Sequence, residues 1–533
     1  LPQYDTDQFE GKIERPIGHR SLLITLGLIM LVMGVYMIRA WNLQLINGTA
    51  YAKQAAENQL AEKVIFADRG IIKDRVGREL AYNNLLAISD DFPERTYAPY
   101  RGISHLVGYV KPPQKDTAGY YYRTSYVGID GVERAFDGKL TGINGITLTE
   151  TDAKGNVVSE SSRLLPQAGD TITLSIDAAL SEGLYDAIAR RAEASKFQAG
   201  AGAIMDVVTG EIVALVSYPE YSNVALARGD EKTLADALAN PRQPFLNRVI
   251  SGLYAPGSIV KPIVAAAALA EGIIDEHKEI LSTGQLVVPN PYFRDKPSIF
   301  KDWRAHGYVD MRRAIAVSSD VYFYHIGGGF GGQKGLGIDN IDKYLRIFGF
   351  GSPTGVKGFE EPAGTIPTPQ WKEEVFDGDP WRVGDTYNTA IGQYGVQVTP
   401  LQALRATAAL ANGGVLLTPT LIASSSEIKI ILNLPEHALK VAREGMRMSV
   451  VQGIAGAVNV PFVQVAAKTG TAQVGVRNEY INSWMIGFFP YERPRYAYAV
   501  VLERGPSGTL VGAPAAMNEF LWWMNTHTPH YFK

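Results

Sequence analysis

Between Leu22 and Ile38 the chain carries no charged side chain and is built mostly of Leu, Ile, Val and Met. With its flanks Ser21 and Ala40, this run reaches the roughly 20 residues that a helix needs to cross a bilayer. Lys12, Arg15 and Arg20 precede it, while only Arg39 and Lys53 follow closely. The asymmetry predicts a cytoplasmic tail at 1–20, one transmembrane helix at 21–40, and everything after residue 40 outside the cytoplasmic membrane. A cleaved signal peptide is the alternative, but the run is long for one and no clean small-x-small site follows it. Gly27 and Gly34 lie seven residues apart on one helix face, which suits close approach of a second helix. Gly is also simply common in membrane helices.

The rest is too long for a single core: 533 residues imply two or three domains. Charged residues make up 20% and apolar residues 46%, an ordinary globular balance. Fifty-one basic and 54 acidic residues leave a net charge of −3, which argues against a nucleic-acid-binding surface. Cysteine is absent, so disulfides, thiolate nucleophiles and cysteine-ligated zinc are excluded.

Residues 41–60 read as a helix continuing out of the membrane. Short strands follow around Val64–Phe66 and on either side of Gly70 and Gly77. Residues 82–125 are rich in Tyr and Pro and give no clear pattern. A change of composition near 166 divides residues 41–165 from a second domain, 166–533. In the second domain Asp170–Ile176 alternates like a strand, and Leu180–Ala194 has helical spacing. Residues 203–206 and 211–217 read as a hairpin. Ile263–Ala270 reads as a buried helix of small residues, 351–385 as a surface loop, and 401–412 as a helix. Three strands follow at 463–475, 483–489 and 495–503, then a closing helix at 513–524. This order predicts an α+β fold with helices against an antiparallel sheet.

Three short motifs stand in the order S-x-x-K, S-x-D, K-T-G: Ser258–Lys261, Ser318–Asp320 and Lys468–Gly470. Such patterns also recur by chance, as at Ser426–Lys429, Ser89–Asp91 and Ser175–Asp177. Context separates the two groups. Ser258 follows Tyr254-Ala255-Pro256-Gly257 and precedes a long apolar helix, so it sits at a helix N-terminus, where backbone N–H groups are free and negative charge is favoured. Lys261 lies one turn on, on the same face. A hydroxyl and an amine so placed form a nucleophile and its base, with desolvation expected to lower the Lys261 pKa. Ser318 ends a short helix, Met311–Val317, and can supply a second hydroxyl as proton relay. Lys468 ends an apolar strand and offers charge to a substrate carboxylate. Gly470 is expected to let a substrate backbone approach closely.

The set resembles the penicillin-binding transpeptidases, which share S-x-x-K and K-T-G with serine β-lactamases. The N-terminal half is similar to the class B members. Arg69-Gly70-Ile71-Ile72-Lys73-Asp74-Arg75, His105–Val110 and Gly128–Glu133 look like motifs of the β-rich, non-catalytic pedestal domain. Asn247-Arg248, Gly384-Asp385-Thr386, Ile391-Gly392-Gln393, Thr399–Gln402 and Trp484–Phe488 look like motifs of the transpeptidase domain. Asp320, where division-type members usually carry Asn, and Leu253–Ser258 resemble the elongation type, penicillin-binding protein 2.

The resemblance implies a peptidoglycan D,D-transpeptidase. Ser258 would attack the D-Ala–D-Ala carbonyl of a stem peptide with Lys261 as base. The oxyanion would sit between the N–H groups of Ser258 and Thr471. Ser318 and Lys468 would pass the proton to the leaving D-Ala, and Thr469, Thr471 and Lys468 would hold the terminal carboxylate. β-Lactams would acylate Ser258. The class B architecture implies no glycosyltransferase activity of its own, no cofactor, and a SEDS-family (RodA-type) polymerase as partner. Two departures stand out. Only residues 82–104 separate Ala81 from His105, where the elongation type usually inserts a larger head that can meet a scaffold protein. Some elongation enzymes bind zinc near the second motif through Asp, His and Cys. Here Asp302 and His306 are present, but Ile315 stands three residues before Ser318 and no cysteine exists, so no metal is expected and His306 reads as a loop hydrogen-bonder. The alternatives are a division-type enzyme, a carboxypeptidase or β-lactamase-like hydrolase, and a β-lactam sensor. The pedestal and membrane span argue against the hydrolase, and the short tail against the sensor.

Overall fold

The computed structural model describes residues 18–57, 60–89, 91–151, 157–290, 293, 295–423 and 429–533. Lys12, Arg15, Asp90 and Ser426 therefore lie outside the described residues. The chain forms two compact units, Leu1–Ile65 with Asn144–Pro166, and Phe66–Ile143 with Gln167–Lys533.

In the first unit His19–Trp41 is one helix of 23 residues with no buried residue, long and apolar enough to cross a membrane. The helix expected over 41–60 is interrupted. A π-helical turn at Asn42–Ile46 precedes a separate helix, Gly48–Glu57. A three-stranded antiparallel sheet completes the unit, with Gly145–Thr151 between Leu60–Ile65 and Val157–Leu164.

The larger unit is organised around a five-stranded antiparallel sheet. Its strands run in the order Ile212–Tyr218, Ala199–Asp206, Tyr496–Pro506, Tyr480–Phe489, Ala466–Val474. Every residue of Ala199–Asp206 and Ile212–Tyr218 is buried, because helices cover both faces of the sheet. On one face Ala178–Ala194 packs with Ala513–His527. Asp177 caps the first of these helices, accepting from the N–H groups of Ala179 and Leu180. Gly200 and Gly202 let that helix lie close, since a Cβ on either would press into Ile188 at 2.7 and 2.9 Å. On the other face, Pro400–Ala411 is buried along its whole length. The side chain of Thr399 accepts from the Gln402 N–H, and that of Gln402 accepts from the Thr399 N–H. The helices Lys261–Ala270, Met311–Val317, Asp320–Gly328 and Glu436–Gln452 pack together beside it.

Residues 66–143 belong to this larger unit. Their sheet runs Ile172–Thr173, Ile72–Lys73, Glu79–Ser89, Phe92–Tyr97. The sequence motifs of this region interlock. Arg69 and Arg95 both donate to the buried Glu133 carboxylate, at 2.6 and 2.7 Å. Gly108 faces the carbonyl of Asp130 so closely that a Cβ there would overlap it.

Two stretches differ from the sequence reading. Residues 351–385 are not all loop: Pro369–Val375 is a helix, with Thr368 as cap and Pro at its first position, and a second helix begins at Val383. The surrounding Gly and Pro hid that start signal. Of 170–176, only Ile172–Thr173 forms strand, because the partner strand Ile72–Lys73 is equally short.

Candidate active site

Ser258 lies in a 3₁₀ turn, Gly257–Val260, that runs directly into the helix Lys261–Ala270. Gly257 has φ +55°, and a Cβ there would meet the Thr471 carbonyl at 2.8 Å. Gly392, with φ +75°, faces the backbone of Gly257 with no room for a Cβ, and its carbonyl accepts from the Gly257 N–H at 2.9 Å. Two glycines thus wedge the serine turn between the loop at 392 and the edge strand Ala466–Val474. Trp484 fixes the turn from below, its Nε1–H donating to the Ala255 carbonyl at 2.9 Å.

Lys261 is fully buried one turn beyond Ser258. Its Nζ donates to Asp320 Oδ1 at 2.6 Å, to the Ser318 carbonyl at 2.9 Å and to Ser318 Oγ at 3.2 Å. Phe323 lies beneath it, with the ring centroid 5.3 Å from the nitrogen. Lys261 is buried as expected, and Asp320, which the sequence also places among the catalytic residues, lies against its nitrogen. Among the described residues, no hydrogen bond joins Ser258 Oγ to Lys261; catalytic contacts of this kind often tighten only when substrate binds.

Ser318 terminates Met311–Val317 in the left-handed conformation, φ 58° and ψ 42°, which costs a non-glycine residue roughly 1–2 kcal/mol. The reversal throws its hydroxyl inward, where it is 4% exposed. Lys468 Nζ donates to that hydroxyl at 2.8 Å and to the Thr469 carbonyl at 2.8 Å. Lys468 is also fully buried. Burial pushes its ammonium well below the usual lysine range, the neighbouring Lys261 charge pushes the same way, and Asp320 opposes both. Two lysines, one of them paired with a carboxylate, therefore converge on a single hydroxyl, an arrangement able to move a proton through Ser318.

Along the strand, Lys468 and Gly470 share one face, and Thr469 and Thr471 share the other. Thr469 is half-buried and Thr471 exposed. At Gly470 a Cβ would meet the Pro256 carbonyl at 2.8 Å and Ile259 at 2.9 Å, so the glycine also makes room for the serine turn.

Asp302 and His306 lie in the loop behind the second motif. His306 Nε2 is 3.4 Å from Asp302 Oδ1 and has no hydrogen-bond partner, so its ring is not the loop hydrogen-bonder that the sequence suggested; its backbone N–H is, donating to the Ser282 carbonyl at 3.0 Å. Burial lowers the His306 pKa, with Asp302 opposing. These residues do not fit a metal. Both Asp302 oxygens already accept hydrogen bonds, and the buried Ile315 offers no ligand atom. Among the described residues, no group of three or more His, Cys, Asp and Glu side chains is placed to hold an ion. Gly392, Trp484 and Asp302 carried no sequence signal for these contacts, which depend on residues far away in the chain.

Residues 200–520 match the penicillin binding protein transpeptidase domain, and residues 88–174 the penicillin-binding protein dimerisation domain. The peptidoglycan D,D-transpeptidase MrdA of Haemophilus influenzae is 27% identical, over 98% of this chain and 94% of its own length. MrdA of Salmonella typhimurium (strain SL1344) is 30% identical, over 80% and 72%. The FtsI transpeptidase of Escherichia coli is less similar, 26% identical over 80% and 66%. The penicillin-binding protein PBP2 of Helicobacter pylori, solved in complex with MreC, superimposes with TM-score 0.72 at 25% identity, over 88% of this chain and 99% of that one. A chain of a peptidoglycan synthase complex that coordinates polymerization and crosslinking gives TM-score 0.72 at 25% identity, over 94% and 97%. The motif order, the fold and these likenesses agree: the chain belongs to the penicillin-binding transpeptidase family, as a membrane-anchored class B peptidoglycan D,D-transpeptidase of the elongation type.

Proposed function

We propose that Ser258 is the acylated nucleophile of this D,D-transpeptidase and that the Lys261–Ser318–Lys468 array handles its protons. The observation that carries this is the convergence of two buried lysines on one hydroxyl, 3.2 Å from Lys261 and 2.8 Å from Lys468. In its neutral form, Lys261 accepts the Ser258 proton as the hydroxyl attacks the D-Ala–D-Ala carbonyl. Lys468, held low by burial, lets Ser318 deliver a proton to the departing D-Ala. The N–H groups of Ser258 and Thr471 receive the oxyanion. Thr469 and Thr471, on one face of the edge strand, bind the donor's terminal carboxylate. The amine of a second stem then displaces Ser258 and completes the cross-link. β-Lactams stop the cycle at the acyl-enzyme.

The catalytic part works outside the cytoplasmic membrane, in keeping with the basic residues before Leu22. Residues 41–165 serve as the pedestal and 166–533 as the transpeptidase domain. The glycan strands come from a SEDS-family (RodA-type) polymerase met through the membrane helix. Gly27 and Gly34 stand seven residues apart on one face of that helix, and a structural relative belongs to a synthase complex coordinating polymerization and crosslinking.

Intact-mass measurement over hours with excess benzylpenicillin tests the chemistry. One long-lived adduct, absent in Ser258→Ala, is expected. A transient adduct with hydrolysed drug would indicate a hydrolase instead, and an adduct on Ser258→Ala would overturn the assignment. Replacing Gly27 and Gly34 with Leu is expected to weaken co-purification with the polymerase.

A further inference from the structure

The strained serine of the second motif is held from both sides by one loop. Asp302 Oδ2 accepts from Ser319 Oγ at 2.9 Å, from the Val321 N–H at 3.1 Å and from Ser282 Oγ at 3.1 Å. Its Oδ1 accepts from the Trp303 N–H at 2.8 Å. The Trp303 indole in turn donates to the Val317 carbonyl at 3.2 Å. The anchored positions are therefore 317 on one side of Ser318 and 319 and 321 on the other. Between them the backbone makes its left-handed reversal and presents Ser318 Oγ and Asp320 to the two lysines. The Asp302 side chain is completely buried, and its own N–H is tied to the Gly284 carbonyl at 2.8 Å, so the clamp rests on a fixed base.

We propose that Asp302 is a positioning residue for acylation, its carboxylate setting the backbone that carries Ser318 and Asp320. The inference rests on the roles given above to those two residues. A carboxylate is required because each of its oxygens faces a backbone N–H that can only donate, Val321 on Oδ2 and Trp303 on Oδ1. An amide in its place turns an NH₂ group either onto Ser319 and Val321 or onto Trp303. Such supporting hydrogen bonds commonly carry 10- to 100-fold in activity at sites ordered by a second layer of residues.

The test is stopped-flow acylation of the detergent-solubilised full chain by a fluorescent penicillin. It resolves the dissociation constant of the non-covalent complex from the acylation rate constant. For Asp302→Asn the rate constant is expected to fall roughly 10- to 100-fold while the dissociation constant stays within about 2-fold, since the carboxylate-binding strand is untouched. Ser319→Ala is expected to act in the same direction. The double variant should be no slower than Asp302→Asn, because both changes break one clamp. A folded Asp302→Asn protein with the parent's rate constant would overturn the inference. If that variant does not fold, an unchanged rate constant in Ser319→Ala would overturn it. A weakened dissociation constant with an unchanged rate constant would do so too. Ser318→Ala serves as the reference: if it acylates like the parent, the roles assigned to the second motif fail first, whereas a slow Ser318→Ala beside a normal Asp302→Asn removes Asp302 alone.

Discussion

Lys261 Nζ and Asp320 Oδ1 are 2.6 Å apart, with the lysine fully buried and the carboxylate about one-fifth exposed. That carboxylate is also the charge that opposes the depression of Lys468. Asp320→Asn keeps the shape but leaves two buried amines without a counter-charge. Breaking a buried pair in this way costs up to about 3–5 kcal/mol. A large loss of urea stability at pH 7 is expected. An unchanged stability at pH 7 would mean that water already screens the pair.

Lys468 itself makes the fold sensitive to alkali in an unusual direction. Its folded pKa lies below the ordinary lysine value, so the unfolded chain binds the proton more tightly. Stability therefore rises with pH between the depressed folded value and the unfolded value near 10.4. Lys468→Met should abolish acylation and flatten this slope. Denaturant titrations of parent and variant at pH 7 and 9 check it; parallel slopes would refute the assignment.

His105 acts in the same direction at the acid end. It is 1% exposed, and Nε2 lies 2.7 Å from the Pro244 carbonyl, so the neutral ring donates there. Burial lowers its pKa to about 4, with the Arg248 charge adding to the effect. The folded value lies below the unfolded value near 6.5, so stability is full above pH 6.5 and is lost as pH falls towards 4. The total is roughly 3 kcal/mol for one such group. In His105→Gln, which keeps a donor, the loss between pH 7 and 4.5 should be smaller than in the parent by roughly 2 kcal/mol.

Two glycines with similar backbone angles separate strain from crowding. Gly272 has φ +60° and open space around it, whereas Gly392 has φ +75° and faces the serine turn without room for a methyl group. Gly272→Ala should cost about 1–2 kcal/mol and leave acylation intact. Gly392→Ala should cost more and slow acylation at least 10-fold, because the turn bearing Ser258 must move. Melting temperature and penicillin acylation on both variants decide it.

Much of the molecule was legible in its sequence because local rules governed it. The membrane helix, the helix at 178–194 and the three C-terminal strands follow from hydrophobic periodicity, and their observed limits differ by only a few residues. Met311–Val317 was read end to end, and Ser318 falls where its helix stops. The helix at 369–375 was hidden inside a Gly- and Pro-rich stretch although Thr368-Pro369 is a legitimate start signal. The packing of Gly470 against the serine turn was not legible, because a strand has two faces and only the register with Trp484 shows which one meets that turn. The clamp at Asp302 was invisible for a related reason. It joins residues that only the folded chain brings together.

The sheet order carries a last consequence. Ala199–Asp206, the first strand of the five-stranded sheet in chain order, pairs directly with Tyr496–Pro506, its last, and Lys468 enters from the strand at the sheet's edge. Ser258 thus waits for nearly the entire catalytic chain before it has neighbours. Contacts so distant in sequence form late and slowly. A chain still lacking its C-terminal hairpin has the serine but not the chemistry, so an antibiotic arriving then finds no target. Covalent labelling by penicillin accordingly counts finished molecules, and its onset after synthesis times the closure of the sheet.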